Sequence, residues 1–224
     1  MSAKLVRFPT TRSLGKVHLS NYSHPSDWFE YSDARGEVVI PPGCKLMLHI
    51  SNEALTDLTP LTDLAPDALY AIDFNNTKVK DEDLFFVQSL IHLHGIALWE
   101  TDVGNLALEH IAKLTSMQWL DLGDTRVTDE GLTHLRGMER LQSLTLLNTR
   151  ISDNGLISLA ELKCLQHLDL MSTRVSDISV ASLSAMTSLR YLRIYQTLIS
   201  EAGHAEISRA LTDCEVWYFR SNDL

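Results

Sequence analysis

From residue 69 onward the apolar positions recur every 24 residues. Leu69, Leu93, Met117, Leu141, Leu165 and Leu189 open successive segments, and an apolar residue follows each at +3 and +5. The pairs are Ile72/Phe74, Ile96/Leu98, Leu120/Leu122, Leu144/Leu146, Leu168/Leu170 and Leu192/Ile194. A threonine stands at +8 in all six segments (Thr77, Thr101, Thr125, Thr149, Thr173, Thr197). Val or Ile follows at +10 in the first five, and Leu198-Ile199 covers the sixth. Position +12 is acidic in Asp81, Asp129, Asp153, Asp177 and Glu201, with Asn105 the exception. One more copy extends backwards from Lys45, with Leu48, Ile50, Leu55 and Asp57 in register.

The period changes inside each segment. Leu120-Asp121-Leu122 alternates, which predicts a short strand. Leu132, Leu135 and Met138, or Leu156, Leu159 and Leu162, are three apart and predict one face of a short helix. Thr128-Asp129, Ser152-Asp153 and Ser176-Asp177 mark the helix starts, where either residue can cap orphan N–H groups and the acid suits the positive end. Gly131, Gly155 and Gly203 let the first helical turn pass close to its neighbour.

Met117-Gln-Trp-Leu-Asp-Leu-Gly-Asp-Thr-Arg-Val127 resembles the leucine-rich repeat, L-x-x-L-x-L-x-x-[N/C]-x-L. The resemblance covers roughly residues 45–224. Thr replaces the usual Asn or Cys, and Glu53 replaces it in the first copy; a hydroxyl still bonds loop backbone, with fewer donors than an amide. The helical second half resembles the ribonuclease-inhibitor-like branch, which carries helices on its convex side. The resemblance implies a right-handed α/β solenoid, a horseshoe arc with a parallel sheet on the concave face.

The ends depart from the repeat, as caps do. Residues 1–44 are expected to form a β-rich N-terminal cap over the open sheet edge, with strands at Lys16–Ser20 and Glu37–Ile40 and a turn at Pro41-Pro42-Gly43. Residues 45–213 hold seven repeats, and 214–224 a capping strand after a helix at Gly203–Cys214. Either Trp217/Phe219 or Val216/Tyr218 point inward there.

Residues at +2, +4 and +6 point away from the leucine core because strand side chains alternate. They set Trp99, Trp119, Asp121, Leu147, His167, Asp169, Met171, Tyr191, Arg193 and Tyr195 on the concave face as a candidate partner-binding surface. Trp119 lies beside Gly95, and Trp99 beside Gly123, so each indole has an empty neighbour to lie over. Trp99, Trp119, Leu147, Met171, Tyr191 and Tyr195 are expected to be exposed together there, where Trp, Tyr and Arg are the usual anchors. The other reading is that these side chains pack on one another and shield the sheet. Asp169 and Arg193 can pair with each other or meet a partner.

Charge narrows the partners. With 29 acidic and 19 basic residues the net charge is −10, which argues against nucleic acid and anionic membrane. No apolar run is long enough to span a bilayer, and the start carries no signal-peptide pattern. Cys44, Cys164 and Cys214 are odd in number and widely spaced, the pattern of free thiols in a cytoplasmic protein. No catalytic motif, cofactor loop or metal-ligand spacing is present. His92-Leu93-His94 at a repeat junction, and His110 with His134, read as surface histidines rather than zinc ligands. The sequence therefore points to a non-enzymatic module that binds a protein partner. The alternative is a regulator of an enzyme, of GTPase- or phosphatase-regulating type, for which Arg126, Arg150 and Arg174 form an available column.

Overall fold

The computed structural model describes residues 3–20 and 28–218. Ten strands make one sheet. Seven are three-residue strands or follow directly from the 24-residue pattern: β6 (Ala71–Asp73), β7 (Gly95–Ala97), β8 (Trp119–Asp121), β9 (Ser143–Thr145), β10 (His167–Asp169), β11 (Tyr191–Arg193) and β12 (Glu215–Trp217). All pair in parallel, and β5 (Lys45–Ile50) joins them through β6. Leu48, Ile72, Ile96, Leu120, Leu144, Leu168, Leu192 and Val216 are mutual register partners. The step between partners is therefore the sequence period itself.

Each strand is short because the chain must turn away after it. The turn is built the same way six times. Asn76, Glu100, Asp124, Asn148, Ser172 and Gln196, at +7, all take positive φ between 51° and 58°. None is glycine, so each accepts the left-handed conformation at some steric expense. The threonine that follows donates its hydroxyl to the carbonyl of the +5 residue: Thr77 to Phe74, Thr101 to Leu98, Thr149 to Leu146 and Thr173 to Leu170 at 2.6 Å, Thr125 to Leu122 at 2.7 Å, and Thr197 to Ile194 at 2.8 Å. The first five threonines are buried. The hydroxyl thus meets the requirement that a polar group in the core be paired.

The return segments are short helices: α1 (Asn105–Ile111), α2 (Asp129–Leu132), α3 (Asp153–Leu159), α4 (Val180–Ser184) and α5 (Glu201–Ala210). In the earlier segments the return is 3-10 instead, at Ala54–Thr56, Thr59–Asp63 and Asp81–Val87. Pro60, near the start of the second of these, has no N–H to give to a helical ladder. The last helix starts two residues before the expected Gly203 and stops at Ala210.

Of the expected caps Ser176 is present, its hydroxyl accepting the Ile178 N–H at 3.3 Å, while the acidic +12 position does something else. The helices at Asp129 and Asp153 have no side-chain cap bond. Each +12 side chain instead reaches the next segment and accepts its +11 backbone N–H: Gly104 on Asp81 (2.5 Å), Thr128 on Asn105 (3.0 Å), Ser152 on Asp129 (2.7 Å), Ser176 on Asp153 (2.8 Å) and Ser200 on Asp177 (2.7 Å). The glycines explain themselves here. A Cβ at Gly131 would stand 2.6 Å from Asn105 Oδ1, and one at Gly155 2.5 Å from Asp129 Oδ1. The close neighbour is the side chain that ties one repeat to the next.

Before residue 45 the chain is antiparallel. β2 (Gly15–Ser20) pairs with β5, and β3 (Phe29–Asp33) lies outside β2 at the sheet edge. β1 (Lys4–Arg7) and β4 (Glu37–Ile40) form a separate two-stranded sheet. The strands expected at Lys16–Ser20 and Glu37–Ile40 are present, and β1 and β3 are additional. Their apolar positions Val6, Val17, Leu19, Val38 and Ile40 join the same core as the repeats. At the far end Val216 and Tyr218 pack against that core and Trp217 points out. Phe219 lies outside the described residues.

Leu120, Leu122, Val127, Leu132 and Leu135 are fully buried in this single cluster, as are their equivalents in the neighbouring repeats. Leu144 sits mid-stack at 1% exposure. Leu144→Ala is expected to lower stability by roughly 2–5 kcal/mol, because flanking repeats cannot collapse into the cavity; chemical denaturation of the variant measures it.

Candidate functional site

The face of the sheet turned away from the helices carries the residues at +2, +4 and +6, as strand parity requires. The aromatic side chains on it do not stand up together. Trp119 lies flat over Gly95, where a Cβ would overlap the indole. Trp99 lies against Gly123, where a Cβ would come within 2.7 Å of its Cδ1, and its Nε1 donates to Asp124 Oδ2 at 2.8 Å. Both indoles are half-buried, and so are Leu147, Met171 and Tyr195. Of the six residues expected to be exposed together, Tyr191 alone is well exposed, at 47%. The physical reason is the glycine gap itself: an indole gains more contact by covering bare backbone than by projecting into water.

The sheet's C-terminal corner is different. Tyr191 stacks on His167, centroids 4.7 Å apart and rings within 10° of parallel. Both are exposed. Arg193 binds Asp169 Oδ2 at 3.2 Å and holds its guanidinium 5.8 Å from the centre of the Trp217 ring. Trp217 is 45% exposed. These residues, with Ser143, Leu144, Thr145 and Leu168, line a concavity of about 430 Å³. Four of the residues singled out by pattern (His167, Asp169, Tyr191 and Arg193) come together here. Trp217 was missing from that set because the direction of the last strand was open; its pairing with Arg193 in register settles it.

Asp73, Asp121 and Asp169 occupy the +4 row. Each bends back to accept the backbone N–H two residues on: Asn75 at 2.8 Å, and Gly123 and Met171 at 3.0 Å. The carboxylates are therefore parts of the turn that ends the strand. Two of them also hold a base. Asp73 binds His49 Nδ1 at 2.9 Å and holds that imidazole above its ordinary pKa, and Asp169 binds Arg193. Asp121 lies between Ala97 and Thr145 and has no ion pair among the described residues. Burial pushes its carboxyl above the usual carboxylate range, and the nearby charges of Asp169, Asp73 and Asp124 add to this against the Gly123 N–H.

No group of His, Cys, Asp and Glu capable of holding a metal occurs among the described residues. No described helix is long and apolar enough to cross a membrane. Arg126 pairs with Asp102 at 2.5 Å, while Arg150 and Arg174 are exposed. Cys164 lies at the surface, and Cys44 and Cys214 are half-buried.

A family model described as a leucine-rich repeat matches residues 113–135. Among solved structures, an internalin of Listeria monocytogenes superposes with a TM-score of 0.55 at 20% identity, covering 74% of this chain and 52% of that one. Residues 113–135 are thus similar to a leucine-rich repeat, and the chain shares the fold of that structure. A leucine-rich-repeat protein of Leptospira interrogans superposes at a TM-score of 0.53 and 18% identity, over 67% of this chain and 37% of its own. This chain thus spans about half of the first neighbour's length and little over a third of the second's. Identities this low establish the shared fold alone. No curated protein matches the sequence.

The raised Asp121 pKa has a consequence for stability. A carboxyl whose folded pKa lies above its unfolded value holds its proton more tightly when folded, so its contribution to stability falls as pH rises from the unfolded value through the folded one. Asp121→Asn keeps an acceptor for the Gly123 N–H and removes the buried charge. The variant is expected to melt above the wild type at pH 7, with the gain vanishing near pH 3. Melting curves across that range would show a constant difference if burial of the charge were not the cause.

Proposed function

We propose that this protein is a non-enzymatic interaction module that binds a protein partner on the outer, concave face of its sheet, centred on Tyr191, Arg193 and Trp217. The observation that carries the reading is the C-terminal corner. Two well-exposed aromatic rings flank an arginine there, with His167 and Asp169 fixed beside them. Exposed Tyr, Trp and Arg around a concavity are the composition of interface hot spots. The arginine is preorganised by Asp169 and by the indole, so little side-chain entropy remains to be lost on binding. Trp99, Trp119, Asp121, Leu147, Met171 and Tyr195 form the continuation of this face and supply contact area rather than anchors. The repeat frame supports the reading, since a stack of rigid turns presents variable side chains on fixed strands.

The regulatory-subunit alternative has less behind it. Of the three arginines in its column, Arg126 is engaged with Asp102. An odd number of widely spaced cysteines, Cys44, Cys164 and Cys214, favours a reducing compartment such as the cytoplasm. Residues 1–44 act in this reading as a cap: β2 satisfies the β5 edge that would otherwise template pairing with another chain.

Two experiments test these points. Tyr191→Ala and Trp217→Ala should each weaken capture of the native partner at least about tenfold and leave the fold intact, whereas Trp99→Ala should act mainly on stability. Full affinity in both corner variants would move the site elsewhere. Deleting residues 1–44 should turn a monodisperse chain into aggregates in size-exclusion chromatography; an unchanged profile and melting temperature would show that the segment is dispensable to the stack.

A further inference from the structure

The edge of the sheet where the strands begin has its own chemistry. Residues at +1 line it, among them Tyr70, His94 and Gln118, and Tyr70 sits at the middle of a compact arrangement. The Lys45 ammonium stands 4.1 Å from the centre of the Tyr70 ring. His94 stacks on the same ring, at 4.5 Å and within 8° of parallel. The Tyr70 hydroxyl donates to Gln118 Oε1 at 2.9 Å, which fixes the ring in place. Lys4, Lys45, His92 and His94 open onto one cavity of about 200 Å³, walled by Ile40, Leu46, Ala68 and Leu69.

We propose that this cavity is a binding site for a phosphate group, carried by the free ion or by a small phosphomonoester. The charge balance is the first argument. In a chain of net charge −10, two lysines and two histidines here face a single carboxylate, Asp67. Asp67 is already neutralised by Lys4 at 2.8 Å, and Lys4 also donates to the Asp67 carbonyl. Lys45 has no carboxylate within ion-pair distance among the described residues; its charge rests on a ring face. An anion would be the partner it lacks, and ammonium-to-phosphate bonds are among the stronger hydrogen bonds available. The overall negative charge opposes this only weakly, since its distant groups are screened beyond about 8 Å at physiological salt.

The surroundings agree. Burial holds His94 below the ordinary imidazole pKa against the opposing pull of the His92 carbonyl, and the positive charges of Lys45, His92 and Arg140 depress it further. Its Nδ1 is buried without a hydrogen-bond partner. A dianion in the cavity would offset those three charges. Size limits the ligand: pockets for drug-sized molecules run upward from about 300 Å³, so this one suits a phosphate with a short organic tail on the apolar wall.

The test is a titration of the full chain with sodium phosphate, and separately with glycerol 3-phosphate, at pH 7 and constant ionic strength set by chloride. The ring resonances of His92 and His94 are followed by NMR. Saturable shifts at concentrations on the order of millimolar are expected. Lys45→Met should weaken binding about tenfold or more, Lys45→Arg should retain it, and Asp67→Asn should tighten it by freeing Lys4. Tighter binding of the monoester assigns an organic phosphate, and tighter binding of the ion assigns phosphate itself. Non-saturable shifts, or equal affinity in Lys45→Met with its melting temperature unchanged, would overturn the proposal. So would loss of binding in Lys45→Arg while that variant remains folded.

Discussion

Everything in this fold hangs on the turn that follows each strand. Three residues of sheet are followed at once by a reversal, and the reversal buries a carbonyl that has no sheet partner of its own. The threonine hydroxyl takes that carbonyl in six successive repeats. At Phe74 and Leu170 the threonine's own N–H shares that carbonyl; at Leu98, Leu122 and Leu146 loss of the hydroxyl would leave a polar group in an apolar core, at roughly 1–3 kcal/mol apiece. The left-handed residue before each threonine swings the hydroxyl into place, and its own strain is repeated at every step. The leucine core can therefore be continuous because the one polar demand inside it is met locally.

The same economy shapes the outer face. Aspartates at +4 end their strands by accepting a backbone N–H, so their first task is structural. Charge partners were then added unevenly: His49 for Asp73, Arg193 for Asp169, none for Asp121. Glycines at +2 and +6 were filled by the neighbouring indoles. What remains available to a partner lies toward the C-terminal end, where no glycine lets the rings lie down.

Parity was readable from the alternation of Leu120-Asp121-Leu122 and its copies, and with it the core and the set of outward residues. Whether an outward ring stands or lies flat was not. That depends on the residue across the sheet and on rotamers, as Trp119 over Gly95 illustrates. β3 escaped notice because Phe29–Asp33 buries no face and so has no apolar rhythm. The 3-10 returns escaped because threefold apolar spacing fits both kinds of helix. The partner of the +12 acid is illegible for a related reason: a residue at a helix start looks like a cap, and only the stacking of repeats brings it to an N–H 23 residues away.

That last contact makes the repeats less interchangeable than their common length suggests. Each +12 side chain needs a small residue at +14 in the following repeat. Asn105 faces Gly131, Asp129 faces Gly155 and Asp177 faces Gly203. After Asp153 the glycine is replaced by Ser179, whose hydroxyl itself bonds that carboxylate. The matching unit is thus the junction, half in one repeat and half in the next. A duplication or shuffling event that moves whole repeats carries its acceptor to a new neighbour and leaves the complementary residue behind. The order of the repeats is written into the chain at these joints: each spans slightly more than one repeat, so a cut anywhere severs one of them, and a cut between +12 and +14 severs two.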